Sequence, residues 1–148
     1  MKAVVKTAPA AGQVIFKDWP DPQVGPEDVL IAVKRGGVCG TDLSLYDWNR
    51  LITEGYKPDL PIVMGHEFTG EVVEMGGAVS GIRVGDHVVA NPALTCGQCR
   101  YCRAEQSMLC PSRRLLGLQV PGAFAEYAAV PAGNVYVVPK EMPWDLAA

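Results

Sequence analysis

Four cysteines, Cys96, Cys99, Cys102 and Cys110, fall within fifteen residues. Thiolates at that density can converge on one tetrahedral metal. Zn²⁺ imposes no geometry of its own and accepts four thiolates at about 2.3 Å, and two-residue spacers let a tight turn aim successive sulfurs inward. The longer gap after Cys102 lets the chain return with Cys110 as the fourth ligand. Two disulfides or four buried thiols are the alternatives, and the spacing favours a closed zinc site over both. A second pair of donors lies upstream, Cys39 in Gly37-Val38-Cys39-Gly40-Thr41-Asp42 and His66 in Gly65-His66-Glu67. On spacing alone, a lone cysteine and a lone histidine are more often ordinary core or surface residues. The carboxylates of Asp42 and Glu67 beside them add weight to a shared metal, because metal-bound imidazoles usually donate their other N–H to such an acceptor.

The elements that must hold these donors read as short strands separated by turns. Val29, Ile31 and Val33 alternate with Leu30, Ala32 and Lys34, a strand buried on both faces at one end and emerging at the other. Further strands are expected over 3–6, 14–16, 68–74, 87–90, 123–130 and 135–138, with Gly and Pro in almost every gap. Helical signals are confined to 41–48, 100–106 and 143–148. His66 follows the strand-like Pro61-Ile62-Val63-Met64, so Cys39 and His66 can each stand at an element end. The expectation is one mainly β domain over residues 1–148, a partly open barrel with a few short helices and a zinc-binding lobe over residues 91–114.

Charge and composition narrow the function classes. The chain carries a net charge of −3 and lacks interleaved basic and aromatic stripes, which argues against a nucleic-acid surface. Arg100, Arg103, Arg113 and Arg114 surround the cysteines with only Glu105 among them, and read as compensation for a four-thiolate zinc of net charge about −2. No apolar run approaches the roughly 18 residues of a membrane span. The charged start, Met1-Lys2-Ala3-Val4-Val5-Lys6, does not resemble a signal peptide, so the expected compartment is reducing and cytoplasmic, where cysteines stay available to metal.

Three motifs in order resemble the zinc-dependent medium-chain alcohol dehydrogenases, whose first half is a GroES-like β domain. Gly65-His66-Glu67-Phe68-Thr69-Gly70, with Gly76 and Val79 following, matches that family's zinc signature. Cys39-Gly40-Thr41-Asp42 matches its first ligand loop, and the four clustered cysteines match its structural-zinc lobe. Gly85-Asp86-His87-Val88 and Gly122-Ala123-Phe124-Ala125-Glu126-Tyr127 are further landmarks, so the likeness spans the chain. It implies that Cys39 and His66 are catalytic-zinc ligands, that Glu67 sits behind the metal or exchanges onto it, and that Thr41 takes the alcohol's proton. Many relatives place a histidine three positions after this threonine; Ser44 stands there instead, which points to water or the ribose as the proton's exit.

The resemblance is strongest to threonine and polyol dehydrogenases, through Cys39-Gly40-Thr41-Asp42-Leu43 and the aromatic Tyr46 and Trp48. Trp48 is a candidate for the substrate cleft, against core packing. Threonine dehydrogenases tend to carry a histidine shortly before the first structural cysteine, where Asn91-Pro92-Ala93-Leu94-Thr95 has none. No two glycines are separated by a single residue, so a Gly-x-Gly dinucleotide turn is absent. The expectation is the amino-terminal part of a homo-oligomeric, NAD- or NADP-linked enzyme oxidising a small alcohol, with the Rossmann domain missing and the part inactive alone. A standalone zinc-stabilised binding module is the alternative, and retention of Thr41, Asp42 and Glu67 argues against it. A zinc-free quinone reductase relative is disfavoured by Cys39, His66 and the cysteine lobe.

Overall fold

The computed structural model describes residues 1–148. Ten strands form in chain order: β1 (Lys2–Lys6), β2 (Val14–Asp18), β3 (Asp28–Gly37), β4 (Ile62–Val63), β5 (Glu67–Met75), β6 (His87–Ala90), β7 (Ala93–Leu94), β8 (Arg114–Leu115), β9 (Tyr127–Pro131) and β10 (Val135–Val137). The helices are α1 (Gly40–Asp47), α2 (Arg100–Arg103) and α3 (Trp144–Ala147), with a π-helical stretch at Leu51–Tyr56 and 3₁₀ turns at Ser107–Leu109 and Ala132–Asn134. A five-stranded antiparallel sheet has the order β10-β6-β5-β3-β9, and β1 lies between β2 and β4 in a three-stranded sheet. The strand-rich, curled and partly open half-barrel is the GroES-like fold that the motifs imply.

The period-two pattern of β3 places Val29 and Ile31 in the main core, against Phe68 and Val72 of β5, Val88 of β6 and Ala128 and Val130 of β9. Full burial of side chains of this size contributes about 1.5–3 kcal/mol each. A second cluster of Leu45, Ile52, Ile62, Met64 and Leu118 joins α1 and the π-helical turn to β4. Trp48, half-buried, packs against that cluster. α3 docks on the sheet through Trp144, whose ring centroid lies 4.0 Å from that of His87, and through Asp145, paired with Arg35 at 2.5 Å.

Two expected elements differ. The strand foreseen over 123–130 pairs with β3 only from Tyr127 onward. Its first half is bonded elsewhere. The N–H groups of Gly122, Ala123 and Phe124 donate to the carbonyls of Val63, Gly65 and Met64, and the Phe124 carbonyl accepts from Val4. That segment stitches the approach to His66 onto β1. The helix foreseen over 100–106 stops at Arg103, and Glu105 adopts a left-handed φ of 58° before the 3₁₀ turn, because the chain must reverse to bring Cys110 back.

Candidate metal centres

The β3–β5 ladder ends at the pair Gly37–Glu67, so Cys39 and His66 leave two adjacent strands at the same edge. One hydrogen-bonded rung therefore delivers two donors that are far apart in sequence. Cys39 is the N-cap of α1, with extended backbone at φ −83° and ψ 156°. Asp42, in the first helical turn, is buried and accepts the Cys39 N–H at 2.9 Å, satisfying a donor that a helix start leaves open. Its other oxygen lies 3.7 Å from His66 Nδ1, inside ion-pair range but too long for a hydrogen bond, so the expected orienting contact is present as proximity only.

The Cys39 sulfur, a His66 ring nitrogen and a Glu67 carboxylate oxygen lie within 4.8 Å of one another, and the Thr41 hydroxyl is 3.7 Å from the Cys39 sulfur. Donors sharing one tetrahedral zinc at about 2.0–2.3 Å stand about 3.4–3.8 Å apart, so the set fits the ion after small side-chain adjustments. The His66 side chain is 13% exposed and Glu67 is exposed, which leaves an open approach to the cluster. The structure thus brings together Cys39, Thr41, His66 and Glu67.

His66 is held from behind by close backbone packing. Gly65 has φ +89°, and a Cβ there would strike the Phe124 ring; a Cβ on Gly122 would strike the carbonyls of Met64 and Gly65. Gly65→Ala is therefore expected to lose about 2–4 kcal/mol of unfolding free energy in urea titration, from overpacking together with an unfavourable backbone region. A loss under about 0.5 kcal/mol would show that this packing is slack.

The second cluster stands on a separate lobe. Its base is closed by the β7–β8 ladder, Ala93 opposite Leu115 and Leu94 opposite Arg114, a pairing too short to announce itself in the sequence. Sulfur separations are 3.5 Å for Cys99–Cys102, 3.6 Å for Cys96–Cys110 and 3.9 Å for Cys96–Cys102. Sulfurs placed tetrahedrally at 2.3 Å from a centre stand about 3.8 Å apart, so the quartet fits zinc. These separations are those of free cysteines, well beyond a disulfide bond.

Backbone N–H groups of Gln98 and Cys99 pull the Cys96 thiol down to about 6, and the Cys102 N–H lowers that of Cys99. Burial, with Cys99 alongside, pushes Cys102 up to about 11. Backbone donors are thus aimed at part of the negative charge, and a bound metal would deprotonate the rest. The arginines do not compensate it by contact. Arg113 donates to the Met108 carbonyl, Arg114 to the Gln119 carbonyl, and Arg100 stacks over Tyr101.

A half-barrel bearing a four-cysteine lobe and an open Cys–His–Glu cluster where β3 and β5 meet is a GroES-like domain with two candidate metal centres. The profile of the alcohol dehydrogenase GroES-like domain matches residues 25–140. L-threonine 3-dehydrogenase of Pyrococcus abyssi is 45% identical over 148 residues, covering 99% of this chain and 41% of the relative. The Xanthomonas oryzae enzyme of the same name is 43% identical over 100% of this chain and 43% of its own length. Among solved structures, an alcohol dehydrogenase from Aeropyrum pernix superposes with a TM-score of 0.87 at 32% identity, over 98% of this chain and 42% of that one. Galactitol-1-phosphate dehydrogenase from Escherichia coli gives 0.86 at 30% identity, over 98% and 40%. The chain belongs to the medium-chain dehydrogenase/reductase family as its GroES-like domain, close to the threonine and polyol dehydrogenase-like members. It spans about two fifths of the length of the curated relatives it matches. No helix is long and apolar enough to cross a membrane.

Proposed function

We propose that residues 1–148 are the metal- and substrate-binding domain of a zinc-dependent, NAD(P)-linked dehydrogenase acting on a secondary alcohol, polyol or hydroxy amino acid. The observation that carries this reading is the convergence of Cys39, His66 and Glu67 within 4.8 Å, with the Thr41 hydroxyl beside the sulfur. Zinc, when bound there, supplies Lewis acidity that brings an alcohol's pKa toward neutrality. Cys39 and His66 would hold it, with the exposed Glu67 carboxylate beside them as the further donor. Asp42 fixes the Cys39 backbone and presents negative charge to the imidazole face turned toward it.

Thr41 receives the substrate's proton through its hydroxyl. As it accepts that proton the hydroxyl must pass on its own, and with Ser44 one helical turn further along α1 the exit is water or the ribose. A nicotinamide would supply the hydride acceptor, and a nucleotide-binding unit outside residues 1–148 would have to hold it. The names of the relatives favour a hydroxy amino acid, whereas the buried Ala93 offers no polar side chain as an anchor and keeps polyols within the class. The four-cysteine lobe is the structural-zinc site, and the full-length enzyme acts as a homo-oligomer in the cytoplasm.

Calorimetric titration of NAD(H) and NADP(H) separates this domain's part from the cofactor's. Residues 1–148 alone should give no measurable binding, for want of a glycine-rich phosphate turn, while the full-length protein binds one of the two cofactors and reduces it with an alcohol from the stated class. Submicromolar cofactor binding by residues 1–148 alone, or no alcohol-dependent reduction by the full-length protein, would overturn the reading.

A further inference from the structure

We propose that Lys6 is a positioning residue for the Cys39–His66 centre, acting through the far end of the helix that Cys39 caps. The inference rests on the reading of that centre as a metal site. Lys6 closes β1 and has no solvent exposure. Its Nζ donates to the carbonyls of Ala10 at 2.5 Å, Gly12 at 2.8 Å and Tyr46 at 3.0 Å. An ammonium has three donors and no acceptor, so three carbonyls saturate it. The Trp48 ring lies 5.5 Å from the charge. Burial draws the Lys6 pKa below the ordinary lysine range, and Asp47 opposes that shift.

A buried cation is costly, and an apolar side chain of the same length would fill the space without that cost. What the ammonium adds is a three-way join. Two of its acceptors belong to the β1–β2 loop, which turns back through left-handed Gly12 and Gln13. The third belongs to the last turn of α1, where helix carbonyls lack partners and the helix dipole is negative. The Tyr46 carbonyl also accepts the Gly12 N–H at 2.9 Å, so loop, strand and helix end meet at one oxygen.

That helix has eight residues and is stiff over two turns. Its other end carries the Cys39 cap, Thr41 and Asp42, while His66 is held independently by the β3–β5 ladder and the packing of Phe124 on Gly65. Tilt or rotation of α1 therefore moves Thr41, Asp42 and the Cys39 cap relative to His66. The Asp42–His66 approach, at 3.7 Å, would lengthen or shorten directly with such a shift. Lys6 fixes the helix from the end that the metal donors do not reach.

The test is titration of metal-free full-length protein with Co²⁺ alone, in wild type, Lys6→Met and Lys6→Gln. Thiolate-to-cobalt charge transfer is intense for four sulfurs and weak for one, which separates the two centres. Lys6→Met should weaken the Cys39–His66 centre about tenfold and alter its visible bands, at the low end of what loss of a supporting partner costs a metal site. Lys6→Gln should fall between, and the four-cysteine lobe should keep its affinity in both. Val130→Ala, in the distant main core, should lower the melting temperature and leave both cobalt centres unchanged. A less stable Lys6→Met with wild-type affinity and spectrum at the second centre would reduce Lys6 to a stability role and overturn the proposal. If Lys6→Met does not fold, wild-type affinity and spectrum in Lys6→Gln overturn it equally. Cobalt binding only at the lobe in wild type would overturn the metal reading itself and this inference with it, an outcome distinct from the first.

Discussion

Cys39→Ala and His66→Ala, made in the full-length protein, will each lower the rate of alcohol oxidation by at least about 10³-fold, since each removes a donor from the metal that is to polarise the substrate. Only two further protein donors remain in the cluster after either change, and Glu67 is exposed and loosely held. Thr41→Ala should slow turnover about 10²-fold, the lower range for loss of a positioned proton acceptor, and Thr41→Ser should restore most of it. Steady-state rates with metal analysis of each variant decide the matter. Full activity in Cys39→Ala would remove the metal mechanism and leave the lobe as the only zinc-binding part.

Cys110→Ser will cost the lobe its zinc and its local fold. Cys110 is the most buried of the four, and its sulfur completes the quartet against Cys96 at 3.6 Å. Structural zinc binds zinc-finger peptides with about 10–16 kcal/mol, and that energy is also folding energy. Because the β7–β8 ladder is only two residue pairs long, it offers little to hold the lobe once the ion is gone. Zinc per chain should fall by one, and amide exchange should accelerate through α2 and the 3₁₀ turn while β3 and β5 keep their protection. Unchanged metal content in Cys110→Ser, or purification of the wild type with disulfides among the four, would overturn the assignment.

The sheet was legible wherever one strand face repeats with period two. β3 follows the alternation of Val29, Ile31 and Val33, and β6 coincides with its expected bounds. The metal donors were legible because cysteine spacing and the Gly-His-Glu run are local signals. What was hidden depends on partners distant in the chain. The 122–124 segment looks like strand but is occupied by the carbonyls of residues 63–65. The π-helical turn at Leu51–Tyr56 buries only Ile52, too few apolar positions for a helical period. Lys6 reads as an ordinary solvated charge, since nothing in its neighbourhood indicates that Tyr46, forty residues on, will supply an acceptor. The arginines near the cysteines have the expected sign and the wrong targets, because guanidinium groups prefer oxygen acceptors and several carbonyls are within reach.

Strand order also sets an order of assembly during synthesis. β3 is flanked by β5, its near neighbour in the chain, and by β9, whose pairing joins Asp28 to Pro131 across about a hundred residues. The four cysteines close a loop of only fifteen residues. By the logarithmic cost of loop closure, the longer connection is dearer by about 1.7 kcal/mol. As the polypeptide leaves the ribosome, the lobe can capture its ion once Cys110 has emerged, while β3 still presents an unpaired edge that only β9 will cover. Nascent chains arrested between Cys110 and Tyr127 would carry a finished lobe beside an open sheet, a species prone to edge-to-edge association until β9 arrives.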